Sequence, residues 1–246
     1  MKNNIIYLII LLLLISCGKK ENTLLEDMAL LDKSYIRTLL YTANINNQNR
    51  KESIERFIID WNAFKKKYYN ANTEDPQWKT DFDSLQDILI RSHYYIASGE
   101  DESAGYSILH DIKYVLSDMR KRNNINWFVD NINAIYKTAN RMNELSKIYG
   151  LNTTVLTEVE ENRLLVVYQL LDSSVKNALK EFDRSNIQLL GLSAKQIEAL
   201  RHNMNTISDL VLSIGNNISN KKYSDIPNIS ANIINIYFNS LQIIVT

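Results

Sequence analysis

Apolar residues recur at intervals of three and four through most of this 246-residue chain, and no stretch alternates apolar with polar residues as a half-buried strand must. That spacing forms a continuous apolar stripe only on a helical backbone, so it restricts the fold to packed helices. Six sustained rows outweigh the usual one-third helix content of globular proteins. Glycine and proline punctuate the rows. Pro76 and Pro227, the two prolines, each precede a periodic segment, where a missing N–H costs nothing. Gly99, Gly150, Gly191 and Gly215 fall at or just beyond segment ends, where helices are capped.

The rows predict the following helices. Leu24 to Asn44 carries Leu24, Met28, Leu31, Tyr35, Thr38 and Thr42, and Asn46-Asn47 reads as a turn. Glu52 to Tyr69 carries Ile54, Phe57, Trp61, Phe64 and Tyr68. A third segment, opened by Asp75-Pro76 and closed by Ser98-Gly99, carries Trp78, Phe82, Leu85, Leu89, Ser92 and Ile96. The fourth runs unbroken from Glu100 to Arg122 on Gly105, Leu109, Ile112, Leu116 and Met119, with acids first and bases last to match the macrodipole. The fifth carries Phe128, Ile132, Ile135, Ala139 and Met142. The sixth, from about Thr154 to Arg184, has Leu164, Tyr168, Leu171, Val175, Ala178 and Phe182, with Leu165, Val166 and Leu170 implying contact with several neighbours. Ser193-Ala194-Lys195-Gln196 is a capping-box pattern ahead of Ile197, Leu200, Met204, Ile207, Val211 and Ile214. Pro227 to Thr246 is apolar on most sides, centred on Ile229, Ile233, Ile236 and Ile243, and should be largely buried.

The expected fold is all-α, an up-and-down helical bundle of about eight helices over residues 24–246. Division into halves 24–150 and 151–246 stays open, on an echo between Leu31-Asp32-Lys33-Ser34 and Leu171-Asp172-Ser173-Ser174. The tetratricopeptide period and pattern do not occur.

The first residues form an address, not structure. Met1-Lys2 is a positive start, Ile5 to Ile15 is an apolar run broken only by Tyr7, and Leu14-Ile15-Ser16-Cys17 ends it at the chain's only cysteine. The run is shorter than the ~20 residues a membrane-spanning helix needs. Those last four residues resemble the lipobox of bacterial lipoproteins. The resemblance implies that residues 1–16 are a cleaved signal peptide, that Cys17 becomes the lipidated first residue, and that 17–23 are a short tether. It places the protein at the bacterial cell envelope, held to a membrane by its lipid, with inner membrane, periplasmic outer leaflet and cell surface left open.

With Cys17 acylated no thiol remains for disulfides, thiolate catalysis or metal binding. Basic and acidic residues balance at 28 each, so there is no electrostatic footprint for nucleic acid. Six scattered glycines cannot build a nucleophile elbow, a phosphate loop or a dinucleotide fingerprint. His93, His110 and His202 lack a second ligand four residues away, and no Glu-x-x-His pair of the di-iron kind occurs. No catalytic residue, cofactor or metal site is therefore assigned, and an enzymatic role is not expected.

Tyrosine stands out, with fourteen residues. Neighbours on a helix point about 100° apart, so Tyr94 and Tyr95 cannot both face a core. Tyr94, Tyr95, Tyr106, His110 and Tyr114 are the interaction candidates, because exposed tyrosines bury large area at low entropy cost. Rim packing is the plainer role for them, and His110 is placed with Tyr106, Lys113 and Tyr114 on the outer side of the fourth helix. In architecture alone, lipobox plus helix-rich body, the chain resembles the all-helical surface lipoproteins of spirochaetes, some of which bind host complement regulators. That resemblance carries no motif and transfers no binding residue. The function expected is a non-enzymatic, membrane-anchored binding module with a protein partner. The alternatives are a bundle that carries a small ligand, metal or haem, and a structural or assembly lipoprotein of the envelope.

Overall fold

The computed structural model describes residues 23–43, 48–71, 74–150 and 156–246. The expected signal peptide, Cys17 and the expected turn at Asn46-Asn47 lie outside them. The described chain is all-α, with helices α1 (Leu24–Thr42), α2 (Arg50–Tyr68), α3 (Trp78–Ser98), α4 (Glu102–Leu109), α5 (Ile112–Arg122), α6 (Phe128–Ile148), α7 (Glu158–Glu181), α8 (Ala194–Ser219) and α9 (Ile226–Val245). No strand occurs among the described residues.

Local chemistry sets the boundaries. Thr23, Thr157 and Ser193 each accept from the N–H three residues on, while Glu26, Glu160 and Gln196 reach back, closing capping boxes on α1, α7 and α8. The longest expected segment thus starts at Thr157 rather than about Thr154. Helix α3 ends at Gly99, whose φ of 72° is the left-handed cap that a residue with a Cβ resists. Gly215 is not a cap. It lies inside α8, where an added Cβ would collide with the Tyr168 hydroxyl of α7.

Helices α6, α7, α8 and α9 close a ring, each packed on its two neighbours, while α1, α2 and α3 run side by side with α4 and α5 against α3. Helix α9 packs on α1, so one buried cluster runs through both groups. In packing, the join falls between α5 and α6 rather than after Gly150. The Leu-Asp echo does not extend to environment either: Asp32 is buried, whereas half-buried Asp172 pairs with Lys176 at 2.7 Å.

A polar knot crosses the join. Arg120 of α5 gives Nε and Nη2 to the Asp130 carboxylate of α6 at 2.8 and 2.6 Å, and Nη1 to Asp32 of α1 at 3.1 Å. Trp127 donates its indole N–H to Asp32 at 2.5 Å. Arg120 and Asp32 are each 1% exposed. Burial works against the guanidinium charge, but the two carboxylates more than offset it and raise the group above its ordinary range. Burial likewise pushes the Asp32 carboxyl up, against the pull of Arg120.

Three expectations need correction. The fourth helix is not continuous. Gly105 lies so close to α3 that a Cβ would stand 2.7 Å from Ile96, and the chain breaks at His110-Asp111 before α5 sets out toward the knot. Leu165, Val166 and Leu170 of α7 face solvent, since α6 and α8 meet α7 along Leu164, Leu171, Val175 and Ala178. Helix α9 is rotated from its expected register: its buried line is Ile226, Ser230, Ile233, Tyr237, Leu241 and Ile244, with Ile229, Ile236 and Ile243 half-buried. Small Ser230 and Ser240 let neighbouring helices approach, and Tyr237 turns inward to donate to Asn133 at 2.9 Å.

Trp61 is 1% exposed among Phe64 and Phe82, its indole N–H on Gln86 at 2.9 Å. Trp61→Ala should therefore cost about 3–5 kcal/mol in denaturant unfolding, whereas Tyr95→Phe, off the buried row, should change the midpoint little. An unchanged midpoint for Trp61→Ala would refute this packing. Arg120→Met leaves the buried Asp32 and the part-buried Asp130 carboxylates without their cation and should also cost about 3–5 kcal/mol. A neutral effect would mean that the carboxylates are hydrated.

Candidate functional site

The break between α4 and α5 creates the most unusual chemistry in the molecule. Leu109 and Ile112 stay in the core on either side of it, and the turn swings His110 and Lys113 inward between α6 and α9. Lys113 is 1% exposed and has no carboxylate within ion-pair distance among the described residues. Its Nζ lies 2.9 Å from His110 Nδ1 and 3.8 Å from the centre of the Tyr136 ring. The rings of Tyr114 and Tyr237 follow at 5.1 and 5.6 Å. Three ring faces thus take the place of a counter-ion. Tyr106 stands edge-on to the His110 ring at 4.5 Å, and His110 Nε2 is buried without a hydrogen-bond partner among the described residues.

Burial drives the Lys113 amine down from 10.5 to about 7, with only Asp111 opposing through its charge. The ring faces, which favour the ammonium form, act in the same direction as Asp111. His110 is pushed down to about 3 by burial and by the Lys113 charge. Burial raises the Tyr114 hydroxyl to about 12 and lifts Tyr106 upward as well. A neutral amine beside an imidazole is a base and a nucleophile in principle. Here it is closed to solvent, and the cluster serves the core.

Of the sequence candidates, the structure gathers Tyr106, His110 and Tyr114, but around a buried lysine and not on an outer face. Lys113 was expected outside, and the break in the helix is what turns it in. Tyr94 and Tyr95 remain on α3. Tyr94 is exposed and donates to Glu100 at 3.0 Å, while half-buried Tyr95 meets it edge-on at 5.3 Å. Sequence reasoning named Lys113 but put it outside, and it missed Tyr136, Tyr237 and Asn133. One signal was available: Tyr106, Lys113 and Arg120 are a heptad apart, one polar line beside the apolar row. His93 is half-buried and His202 exposed, and among the described residues no three His, Cys, Asp or Glu side chains converge to hold a metal ion.

An open feature lies elsewhere. Antiparallel α1 and α2 leave a groove of about 470 Å³ on their outer side, floored by Leu31 and Phe64. Ser34 donates to Asp60 across it at 2.7 Å, and Lys67 pairs with Asp27 at 2.9 Å at one end. Exposed Leu30 and the cations Lys33, Arg37 and Arg56 form the lips. No known protein family, characterised protein or solved structure matches the chain.

The cluster around Lys113 dictates a pH response. A lysine whose amine titrates lower in the folded than in the unfolded chain makes unfolding bind a proton between those two values, so stability rises with pH through that window. From pH 7 to 10 the wild-type protein should gain about 2–4 kcal/mol, one pKa unit being worth about 1.4 kcal/mol and the ring faces removing part of it. His110 acts with the same sign between pH 6.5 and 3, stability falling as acid is added. Above pH 10 the raised tyrosines reverse the trend. Lys113→Met should flatten the rise between pH 7 and 10 in urea titrations, and a slope equal to wild type would show that the amine is charged throughout.

Proposed function

We propose that the protein is a lipid-anchored, non-enzymatic interaction module of the bacterial cell envelope. The single observation that carries the binding role is the α1–α2 groove, with apolar floor and charged lips open to solvent. The lysine cluster, in contrast, is shut. The address rests on Leu14-Ile15-Ser16-Cys17 after the apolar run. Two or three acyl chains on Cys17 would hold the protein stably, each buried CH₂ contributing ~0.8 kcal/mol.

The anchor also supports the role by position. Helix α1 begins at Leu24, so Cys17 lies within about 25 Å of it even with the intervening residues extended. A groove on the first two helices would stay near the membrane, where a partner on the same surface meets it at raised effective concentration.

Cys17→Ala should abolish palmitate labelling and release the protein from the envelope, with the helical circular dichroism signal unchanged. Labelling that survived the substitution would sink the lipoprotein reading. Cross-linking in intact cells should give a discrete adduct with another protein. Adducts with copies of itself alone would favour the assembly role instead.

A further inference from the structure

We propose that the α1–α2 groove docks an acidic amphipathic helix of a protein partner. The inference rests on the interaction-module reading and adds the chemistry of what is bound. Charge is the first argument. Asp27 and Asp60 are already engaged, by Lys67 at 2.9 Å and by Arg56 at 3.3 Å. Lys33 has no anionic partner among the described residues, and Arg37 reaches only the Val245 carbonyl, at 3.3 Å. These two cations stand four residues apart on one helix, where like charges repel. Burial and the Arg37 charge together hold the Lys33 amine below its ordinary range. An anion over this lip removes an existing repulsion as well as forming new contacts.

Shape is the second argument. A valley between two antiparallel helices receives a third helix, ridge into groove. Leu30 on the α1 lip is 59% exposed, and so is Ile59, one turn before Ala63 on the outer side of α2. An inserted helix would cover both with its apolar face and set its acids against Lys33 and Arg37. A bilayer surface is flat, touching the lips without reaching Leu31 and Phe64 on the floor. The groove therefore fits a protein segment better than anionic lipid.

The test uses the full chain in phosphatidylcholine nanodiscs with two fluorescent synthetic helical peptides. Both carry the same leucine face, one with a glutamate face and the other with a lysine face. Fluorescence anisotropy should show the acidic peptide binding, more weakly as salt is raised, and the basic peptide not binding. K33E/R37E should weaken the acidic peptide by at least about tenfold, and K33Q/R37Q by less, as loss of facing charges requires. Circular dichroism of both variants should match wild type, and if the Glu variant misfolds the Gln variant decides. Absence of acidic-peptide binding, equal binding of both peptides, or affinity unchanged in the variants would overturn the proposal. So would dihexanoyl phosphatidylglycerol bound at Lys33 and Arg37 without any peptide binding. An intact-cell protein adduct that persists in K33E/R37E would remove the groove proposal and leave the module reading standing, whereas loss of every heterologous adduct in wild type would remove the reading itself.

Discussion

One guanidinium holds the two groups of helices in register. Arg120 stands at the far end of α5, Asp32 in the middle of α1 and Asp130 in the first turn of α6, so its fork joins the first helix, the fifth and the first of the closing ring. Taking three charges out of water costs more than most ion pairs return, and an apolar trio of similar volume could be as stable. Position is what the knot supplies. An apolar contact tolerates sliding by a turn, whereas a two-pronged fork between carboxylates on different helices admits only one arrangement.

The same segment carries both buried cations, and they are satisfied in opposite ways. Arg120, planar and always charged, takes two carboxylates and an indole face. Lys113, a compact amine on a flexible stem, has ring faces and an imidazole, and can shed its proton instead. The molecule thus holds one charge that acid and base do not alter beside another that neutral pH can remove.

Helix positions were legible because their signals are local: periodicity, capping residues and a left-handed glycine are each read within a few residues. The row Ile54, Phe57, Trp61, Phe64 is buried as its spacing requires. What spacing could not reveal was the break at His110-Asp111, since Leu109 and Ile112 remain in phase across it. The α9 register failed for a related reason. Isoleucine is weighted by hydropathy, but Ser230 and Ser240 win the inner line because they are small, and smallness matters only once a neighbour is known. For the site, Tyr106, Tyr114 and His110 were found as residues and misplaced on an outer face, whereas Tyr94 is exposed. The groove was invisible, because its lips belong to two helices and its informative property is a shortage of acids across space.

Cutting one long segment into α4 and α5 also has a consequence for folding. Eight residues, the length of α4, are fewer than the ~12–15 at which a helix holds by itself in water. Helix α4 exists only where α3 already stands, with Gly105 against Ser92, Tyr95 and Ile96. Lys113 completes its ring of tyrosines only where α6 and α9 meet, because Tyr136 and Tyr237 come from those helices. Dehydrating its amine thus takes contributions from three separate parts of the chain, so no local segment can bury it alone.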